Sequence, residues 1–320
     1  MAEFKLYHYD PSFIAAIVFA SLFTLSTLCH LYQIGRFKAF FFIPFLVGCV
    51  FEAVGYAGRA ISAKQTPDWD LMPYILQSIL LLLGPTMMAA SIYMSLGRLI
   101  AFLDAGFYSL IPVSIFAKTF LIGDILSFLA QSAGGGMLAQ AETKGDQKMG
   151  QTMIIIGLVI QIYFFSFFMT VLYVFHRRMI KNPTKKSLSI TTPWKRFITV
   201  LYAASGLIMV RSLFRMVEYI EGADGELQSK EIYIYIFDAA LMCVTTIFFN
   251  VFHPGRVILV PKDYLEASNL DNDPASVPLR STIQTNRTGI KPGISPQMLN
   301  MHHNQGLYSS SHFYSQGRAP

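Results

Sequence analysis

Seven long apolar runs dominate this chain and limit what it can fold into. They cover residues 12–31, 39–60, 72–100, 112–137, 152–175, 197–219 and 232–252. A helix that crosses a bilayer needs about 20 mostly apolar residues, and each run meets that length. Bulky aliphatic and aromatic side chains lie on every side of these runs, as in helices surrounded by lipid or by other helices. We therefore predict an all-α, polytopic membrane protein whose seven transmembrane helices occupy residues 12–260.

The composition agrees with lipid as the main surroundings of the chain. Only 14% of its 320 residues are charged, whereas soluble proteins average about 25%. Hydrophobic residues make up 53%, and the mean hydropathy is +0.45. These values disfavour a soluble enzyme, a nucleic-acid-binding protein and a disordered scaffold. The net charge of +6 does not point to nucleic acid either, because the densest basic stretch, residues 176–196, lies between two apolar runs.

The distribution of Lys and Arg predicts the orientation of the helices. Cytosolic connections retain Lys and Arg. The first, third and fifth connections and the segment after the seventh run are the more basic ones, whereas the sixth connection, residues 221–231, is net acidic. We expect residues 1–11 to be extracellular and the C-terminus to be cytosolic. Residues 261–320 are rich in Ser, Asn, Gln and Pro without apolar periodicity, which predicts a disordered cytosolic tail.

Ionisable residues inside the runs are the main indication of a functional site. They are Glu52, Arg59, Asp124, Arg211, Arg215, Glu218 and Asp238. A charge at the bilayer centre costs about 2.5–3.5 kcal/mol on insertion scales, so these side chains are expected to face the bundle interior. Helical spacing agrees, because residues 211, 215 and 218 share one face of a helix, as do residues 52 and 59. With the predicted orientation, the charges form one layer from the midplane to the outer leaflet.

The charge of this layer leaves two interpretations open. Four carboxylates and three guanidiniums give a net charge of −1 if all are ionised. A cavity with one spare negative charge suits a cationic or zwitterionic amphipath, since ionisable residues within membranes are often functional. In the alternative interpretation, the acids and arginines only pair with each other and hold the helices together.

Glycine and proline motifs accompany the charges. Gly84-Pro85 lies in the third run, where Pro removes a backbone hydrogen bond, and we interpret it as a hinge or as a static bend. Gly134-Gly135-Gly136 in the fourth run allows close approach of another helix or an unwound helix end. The sequence has no GxxxxGK[ST] motif for ATP. Only His30 among the histidines lies within a run, so we expect neither a metal nor a cofactor.

Taken together, the motifs resemble the fungal lipid-translocating exporter family, also called RTA-like proteins. The matching motifs are FEAVGYAGR (51–59), PTMMAASIYMSLGR (85–98), GDILSFLAQSAGGG (123–136), RSLFRMVEY (211–219), FDAALM (237–242) and FHPGR (252–256). The resemblance extends over nearly all of the membrane domain. It implies a fungal multi-pass protein linked to export or flipping of sphingoid long-chain bases, to resistance to toxic amphipaths and to porphyrin movement. It also favours the plasma membrane.

We therefore predict a transporter or translocase for amphipathic lipids, such as sphingoid long-chain bases, that confers resistance to toxic amphipaths. Membrane lipids and an amphipathic small molecule are its expected partners, and no enzymatic activity is expected. The candidate binding or translocation residues are Glu52, Arg59, Asp124, Gln131, Arg211, Arg215, Glu218 and Asp238, with Gly84 and Pro85 as the hinge. The alternative is a seven-span receptor or sensor of lipid stress, although the Asp-Arg-Tyr of G-protein-coupled receptors is absent from the end of the third run.

Overall fold

The computed structural model describes residues 9–66, 68–141, 143–190, 193–222 and 225–258. Helix accounts for 87% of these residues and none of them lies in a strand, which confirms the all-α fold. The tail predicted at residues 261–320 lies outside the described residues, as does most of the predicted extracellular segment at residues 1–11.

Within the described part of the chain, seven helical segments are long and apolar enough to cross a membrane, and we label them α1 to α7. They are α1 (Phe13–Phe37), α2 (Ile43–Lys64), α3 (Leu71–Phe102), α4 (Val113–Ala139), α5 (Lys144–Lys181), α6 (Trp194–Glu221) and α7. The last consists of Glu231–Ile234, the π-helix Tyr235–Ala240 and Leu241–Val251 in succession. Short helices cover Phe40–Phe42, Gly106–Tyr108, Lys185–Ser189, Glu226–Ser229 and Gly255–Ile258. The prediction of seven transmembrane helices is confirmed, and the chain is a multi-pass membrane protein.

Helix α5 is much longer than the apolar run that predicted it. It has 38 residues, against the run at 152–175, and begins with a capping box in which Thr143 and Asp146 bond each other's backbone N–H groups. At 1.5 Å per residue it is about 57 Å long, roughly twice the thickness of the hydrocarbon core. Hydropathy detects only the part of a helix that lies in lipid, so the polar ends of α5 were not predicted.

Apolar side chains cover both the outside and the inside of the bundle. On the outside, Ile14 is 76% exposed and Tyr163 is 69% exposed, as expected for side chains that contact lipid. Inside, aromatic rings fill the space between α3, α4 and α5. Tyr93, Phe120 and Phe168 lie with ring centroids 4.7–5.4 Å apart.

Glycines bring two pairs of helices into close contact. A Cβ atom on Gly48 of α2 would lie 2.7 Å from the carbonyl oxygen of Gly84 in α3. A Cβ atom on Gly134 of α4 would lie 2.6 Å from the carbonyl oxygen of Gly150 in α5. Residues 134–136 are helical, because α4 continues to Ala139. Of the two interpretations of the triple glycine, close helix approach is therefore correct at Gly134.

The two ends of the bundle differ in charge. Successive spans run in opposite directions, so the start of α1 meets the end of α2 and the start of α7 at one end, which we call the N-terminal face. At the opposite end, the basic face, Arg98 lies over the ring of Phe41, and Arg178 donates a hydrogen bond to the carbonyl oxygen of Tyr108. Which of these faces is cytosolic remains a prediction from the positive-inside rule.

Candidate functional site

Arg211 of α6 joins three helices in the interior of the bundle. Its Nε donates a hydrogen bond to Oδ1 of Asp238 in the π-helix of α7, and the two side chains form an ion pair. Its Nη2 donates to the carbonyl oxygen of Leu81 in α3 at 2.7 Å. Both Arg211 and Asp238 are 1% exposed. Buried charges need such partners, because each is costly to remove from water.

Pro85 explains why the carbonyl of Leu81 is available to Arg211. In an α-helix this carbonyl would accept a hydrogen bond from the backbone N–H four residues later, but Pro has none. Helix α3 continues through Pro85 to Phe102, and the guanidinium of Arg211 takes the place of the missing donor. Gly84 and Pro85 thus belong to the docking site of Arg211, while the hinge that we predicted for them stays a prediction.

Glu52 of α2 lies beside this ion pair and is fully buried. It packs against the backbone of α3 at Gly84, where an added Cβ atom would lie 2.8 Å from Oε1 of Glu52. Arg211 and Asp238 are the charged residues that interact with it electrostatically. Neither carboxylate oxygen of Glu52 has a hydrogen-bond partner among the described residues.

Arg59 forms a second polar centre near the N-terminal face. Its Nη2 donates to an oxygen of Glu231 at 2.8 Å and to the hydroxyl of Tyr9 at 2.7 Å, and its Nε donates to the hydroxyl of Tyr235 at 3.1 Å. Both carboxylate oxygens of Glu231 also accept from the backbone N–H of Ser12 at 2.9 Å. Burial raises the pKa of Tyr9, and the neighbouring Arg59 guanidinium partly opposes that effect. This centre ties the start of α1 to α2 and α7.

A third ion pair lies at the edge of a cavity. Arg215 donates from Nη1 to Oε2 of Glu218 at 2.8 Å, within α6. The cavity has a volume of about 160 Å³ and lies between α3, α4, α5 and α6. Its apolar wall includes Ile75, Leu82 and Ile154, and its polar wall is formed by Tyr74, Ser78, Gln131, Ser132, Arg215 and Tyr219.

Gln131 is held in the cavity wall with its amide oxygen free. Its Nε2 donates to the hydroxyl of Ser127 at 2.5 Å and to Oε1 of Gln161 at 3.2 Å. Neither Oε1 of Gln131 nor the hydroxyl of Ser132 has a hydrogen-bond partner within the described part of the chain. The cavity therefore contains hydrogen-bonding capacity that the protein leaves unused, next to an apolar surface.

Asp124 lies apart from the other predicted charges. It is 1% exposed, and its polar neighbour is the hydroxyl of Tyr93 in α3. The remaining six charges form a connected set, because Asp238 interacts electrostatically with Glu52 and Glu218 and, through Tyr56, approaches Arg59. Six of the seven predicted charges are therefore connected with one another, whereas Asp124 is separate from them.

Glu231 and Tyr235 complete the centre around Arg59 and were not predicted from the sequence. Glu231 was counted with the acidic connection, although it stands seven residues before Asp238 and this spacing places two residues on one helical face. With Glu231 included, the connected set has four carboxylates, of Glu52, Glu218, Glu231 and Asp238, and three guanidiniums. Each guanidinium forms an ion pair with one carboxylate, and the carboxylate left over is that of Glu52.

A metal site does not emerge from these groups. Across the described residues, no three or more His, Cys, Asp or Glu side chains are grouped closely enough to hold a metal ion. His253 accepts a hydrogen bond at Nδ1 from the backbone N–H of Gly255 at 3.1 Å, at the start of the short helix Gly255–Ile258.

The sequence profile of the family described as RTA1 like protein matches residues 45–260, more than half of the chain. The chain belongs to this family. The match includes the site residues Glu52, Arg59, Arg211, Arg215 and Asp238. The segment 9–44, with Tyr9 and Ser12, precedes it.

Relatives of the chain carry several names. The chain is 36% identical to "Protoporphyrin uptake protein 1" of Saccharomyces cerevisiae, over 78% of this chain and 91% of the relative. It is 30% identical to "Probable lipid transporter atnI" of Emericella nidulans, over 80% of this chain and 69% of the relative. It is 27% identical to "Sphingoid long-chain base transporter RSB1" of Saccharomyces cerevisiae, over 71% of this chain and 67% of the relative. No solved structure matches the chain.

Proposed function

We propose that this protein moves amphipathic lipids across the membrane, with sphingoid long-chain bases as the substrate class, and that it catalyses no covalent reaction. The printed names of two relatives, a probable lipid transporter and a sphingoid long-chain base transporter, support membrane lipid transport. By removing toxic amphipaths it would confer resistance to them. The plasma membrane, where such compounds arrive, is the proposed location.

The cavity between α3, α4, α5 and α6 is the observation that carries the proposal. One wall is apolar and the other presents hydroxyl, amide and guanidinium groups. Ile79 and Gly136, at two edges of the cavity, are exposed on the surface of the bundle. An amphipath has the same division between a polar head group and an apolar chain, so such a site can hold the head group while the chain remains among apolar side chains.

The polar wall matches an amino alcohol head group. The free amide oxygen of Gln131 accepts a hydrogen bond from an ammonium or hydroxyl group, and the hydroxyl of Ser132 donates or accepts. Arg215 is the charged residue of the lining, and Glu218 balances its charge. A cationic head group therefore enters a site whose fixed charges are already paired.

Reconstitution in liposomes tests this function. A fluorescent sphingoid base is added to one leaflet, and its appearance in the other is followed by quenching of the outward-facing label. We expect faster movement than in empty liposomes, and a slower rate with Gln131→Leu, which removes the free acceptor. Thr170→Val is the matched control, because it replaces an exposed polar side chain on α5, away from the cavity, by an apolar one.

Two results would count against transport. A rate equal to that of empty liposomes means that the protein moves no such lipid by itself. Binding of the lipid without movement is the behaviour of a receptor or sensor, the alternative that the sequence left open.

A further inference from the structure

The charge balance of the bundle interior singles out Glu52. Arg59, Arg211 and Arg215 each form an ion pair, with Glu231, Asp238 and Glu218 respectively. Glu52 is the remaining carboxylate of the connected set. We propose that Glu52 is a proton-binding site and that the protein exchanges one proton for one cationic amphipath. This inference rests on the proposed transport function and adds the ion that drives it.

The surroundings of Glu52 favour its protonated form in the conformation described here. An ionised carboxylate that is buried without hydrogen bonds is very unfavourable, and such a group neutralises itself by taking up a proton. Glu52 is fully buried, and within the described chain neither of its oxygens has a hydrogen-bond partner. With Glu52 protonated, the connected set contains three negative and three positive charges and is neutral.

The groups that face Glu52 come from four helices. On α2 itself they are the thiol of Cys49 and the hydroxyl of Tyr56. From α6 and α7 they are Arg211, Asp238 and the thiol of Cys243. Helix α3 presents the backbone of Gly84. The Arg211–Asp238 pair has no net charge, so it does not supply a full counter-charge for an ionised Glu52.

Polar groups lead from Glu52 towards the N-terminal face. Tyr56 follows Glu52 by one helical turn, and its hydroxyl has no hydrogen-bond partner among the described residues. The ring of Tyr56 lies 6.2 Å from that of Tyr235, whose hydroxyl accepts from Arg59. Arg59 in turn donates to Glu231, which is 16% exposed. These side chains make the side of Glu52 that faces the N-terminal end its polar side, and we infer that the proton reaches or leaves Glu52 there.

Aromatic rings close the opposite side. Towards the basic face, Phe45 of α2 stacks on Phe42 with ring centroids 4.6 Å apart and meets Phe249 of α7 edge-on at 4.9 Å. All three side chains are fully buried, as are His30 and His253 beside them. Glu52 therefore has polar side chains towards the N-terminal face and aromatic rings towards the basic face, and coupled exchange requires such an asymmetry in each state of a transporter.

The cavity and Glu52 are connected by charge. Arg215 lines the cavity and pairs with Glu218, which interacts with Arg211 and Asp238. Those two residues are the charged neighbours of Glu52. A cation in the cavity adds one positive charge to a set that protonated Glu52 has made neutral. If Glu52 then releases its proton to water, the set together with the bound cation is neutral again. Binding of the cation in the cavity therefore disfavours a proton on Glu52, and the reverse.

A permanently charged probe separates this exchange from passive movement. A fluorescent long-chain trimethylammonium amphipath cannot cross as a neutral base, so its distribution between leaflets depends on the protein. One-for-one exchange of two monovalent cations is electroneutral. At equilibrium, a gradient of about one pH unit should therefore enrich the probe about tenfold in the leaflet facing the acidic side. An imposed potassium diffusion potential should leave this ratio unchanged.

Substitutions assign the effect to Glu52. With Glu52→Gln, whose side chain does not titrate, the pH gradient should produce no enrichment, whereas Glu52→Asp should retain it. Glu226→Gln is the control, because it neutralises an exposed carboxylate that pairs with Lys230 outside the connected set and should keep the response to the gradient. If Glu52→Gln does not fold, Glu52→Asp decides the assignment: its carboxylate is one methylene group shorter, so enrichment should be reached more slowly than in wild type, and an unchanged rate contradicts the role of Glu52. A loss of enrichment with Glu226→Gln also contradicts it.

The outcomes for coupling and for transport differ. Wild-type protein that moves a primary-amine sphingoid base but shows no pH-dependent enrichment of the charged probe overturns proton coupling and leaves transport standing. Enrichment that persists in Glu52→Gln overturns the role of Glu52. If the protein moves neither probe when the pH is equal on both sides, the transport function is contradicted and this inference fails with it.

Discussion

At the scale of single residues, Arg211 holds α3, α6 and α7 together. It contacts Asp238 through one nitrogen and the carbonyl oxygen of Leu81 through another. The cost of charges in lipid was enough to predict that Arg211 and Asp238 point inward. The role of Leu81 was not predicted, because its carbonyl belongs to the main chain. Its availability follows from Pro85, and that connection becomes visible only when the two helices are seen together.

Replacing Arg211 by Met should strongly destabilise the protein. The variant leaves the carboxylate of Asp238 buried without its partner, and breaking a buried ion pair in this way costs about 3–5 kcal/mol. Thermal unfolding in detergent, followed by intrinsic fluorescence, measures the effect. Lys230→Met is the control, because it breaks an exposed ion pair with Glu226 and should leave the midpoint unchanged. Equal midpoints for Arg211→Met and wild type would show that the pair is not needed for stability.

At the scale of helices, spans were easier to predict than their ends and irregularities. The length of its apolar run identified each of the seven spans, because a helix that crosses the lipid needs about 20 mostly apolar residues. The polar ends of α5 carry no such requirement, so the helix exceeded its prediction at both ends. The π-helix at Tyr235–Ala240, which carries Asp238, was not predicted, because π-helices are rare and the apolar run continues through it unchanged.

The triple glycine of α4 offers a test at this scale. Gly134→Ala should destabilise the protein by about 1–3 kcal/mol, because the new methyl group overlaps the backbone of α5. Gly136→Ala is the matched control: a Cβ atom there meets no atom within 4 Å. It should be neutral or stabilise the helix by up to about 1 kcal/mol. The midpoints of thermal unfolding of both variants and wild type are compared in one detergent. A similar decrease of the midpoint for both variants would contradict close packing at Gly134.

At the scale of the whole molecule, polar groups form a continuous set inside an apolar bundle. The sequence predicted a net charge of −1 from seven residues, and the connected set has the same charge with Glu231 in place of Asp124. Helical spacing within single spans could not show that Asp124 lies away from the other six charged residues. Its position depends on how α4 is rotated about its axis against α3. The cavity was not predicted either, apart from Gln131 and Arg215 in its wall, since a cavity results from the packing of four helices.

Filling the cavity should stop transport without unfolding the protein. Gly135 lines the cavity, and a Cβ atom added there meets no atom within 4 Å, so Gly135→Leu places a side chain in open space. We expect lipid movement in liposomes to fall towards the rate of empty liposomes, with a thermal midpoint close to that of wild type. Gly106→Leu should keep the wild-type rate, because Gly106 is exposed outside the cavity and a Cβ atom there also meets no atom within 4 Å. Normal transport by Gly135→Leu would mean that the lipid takes another route, because a leucine side chain and a head group cannot occupy the same small volume.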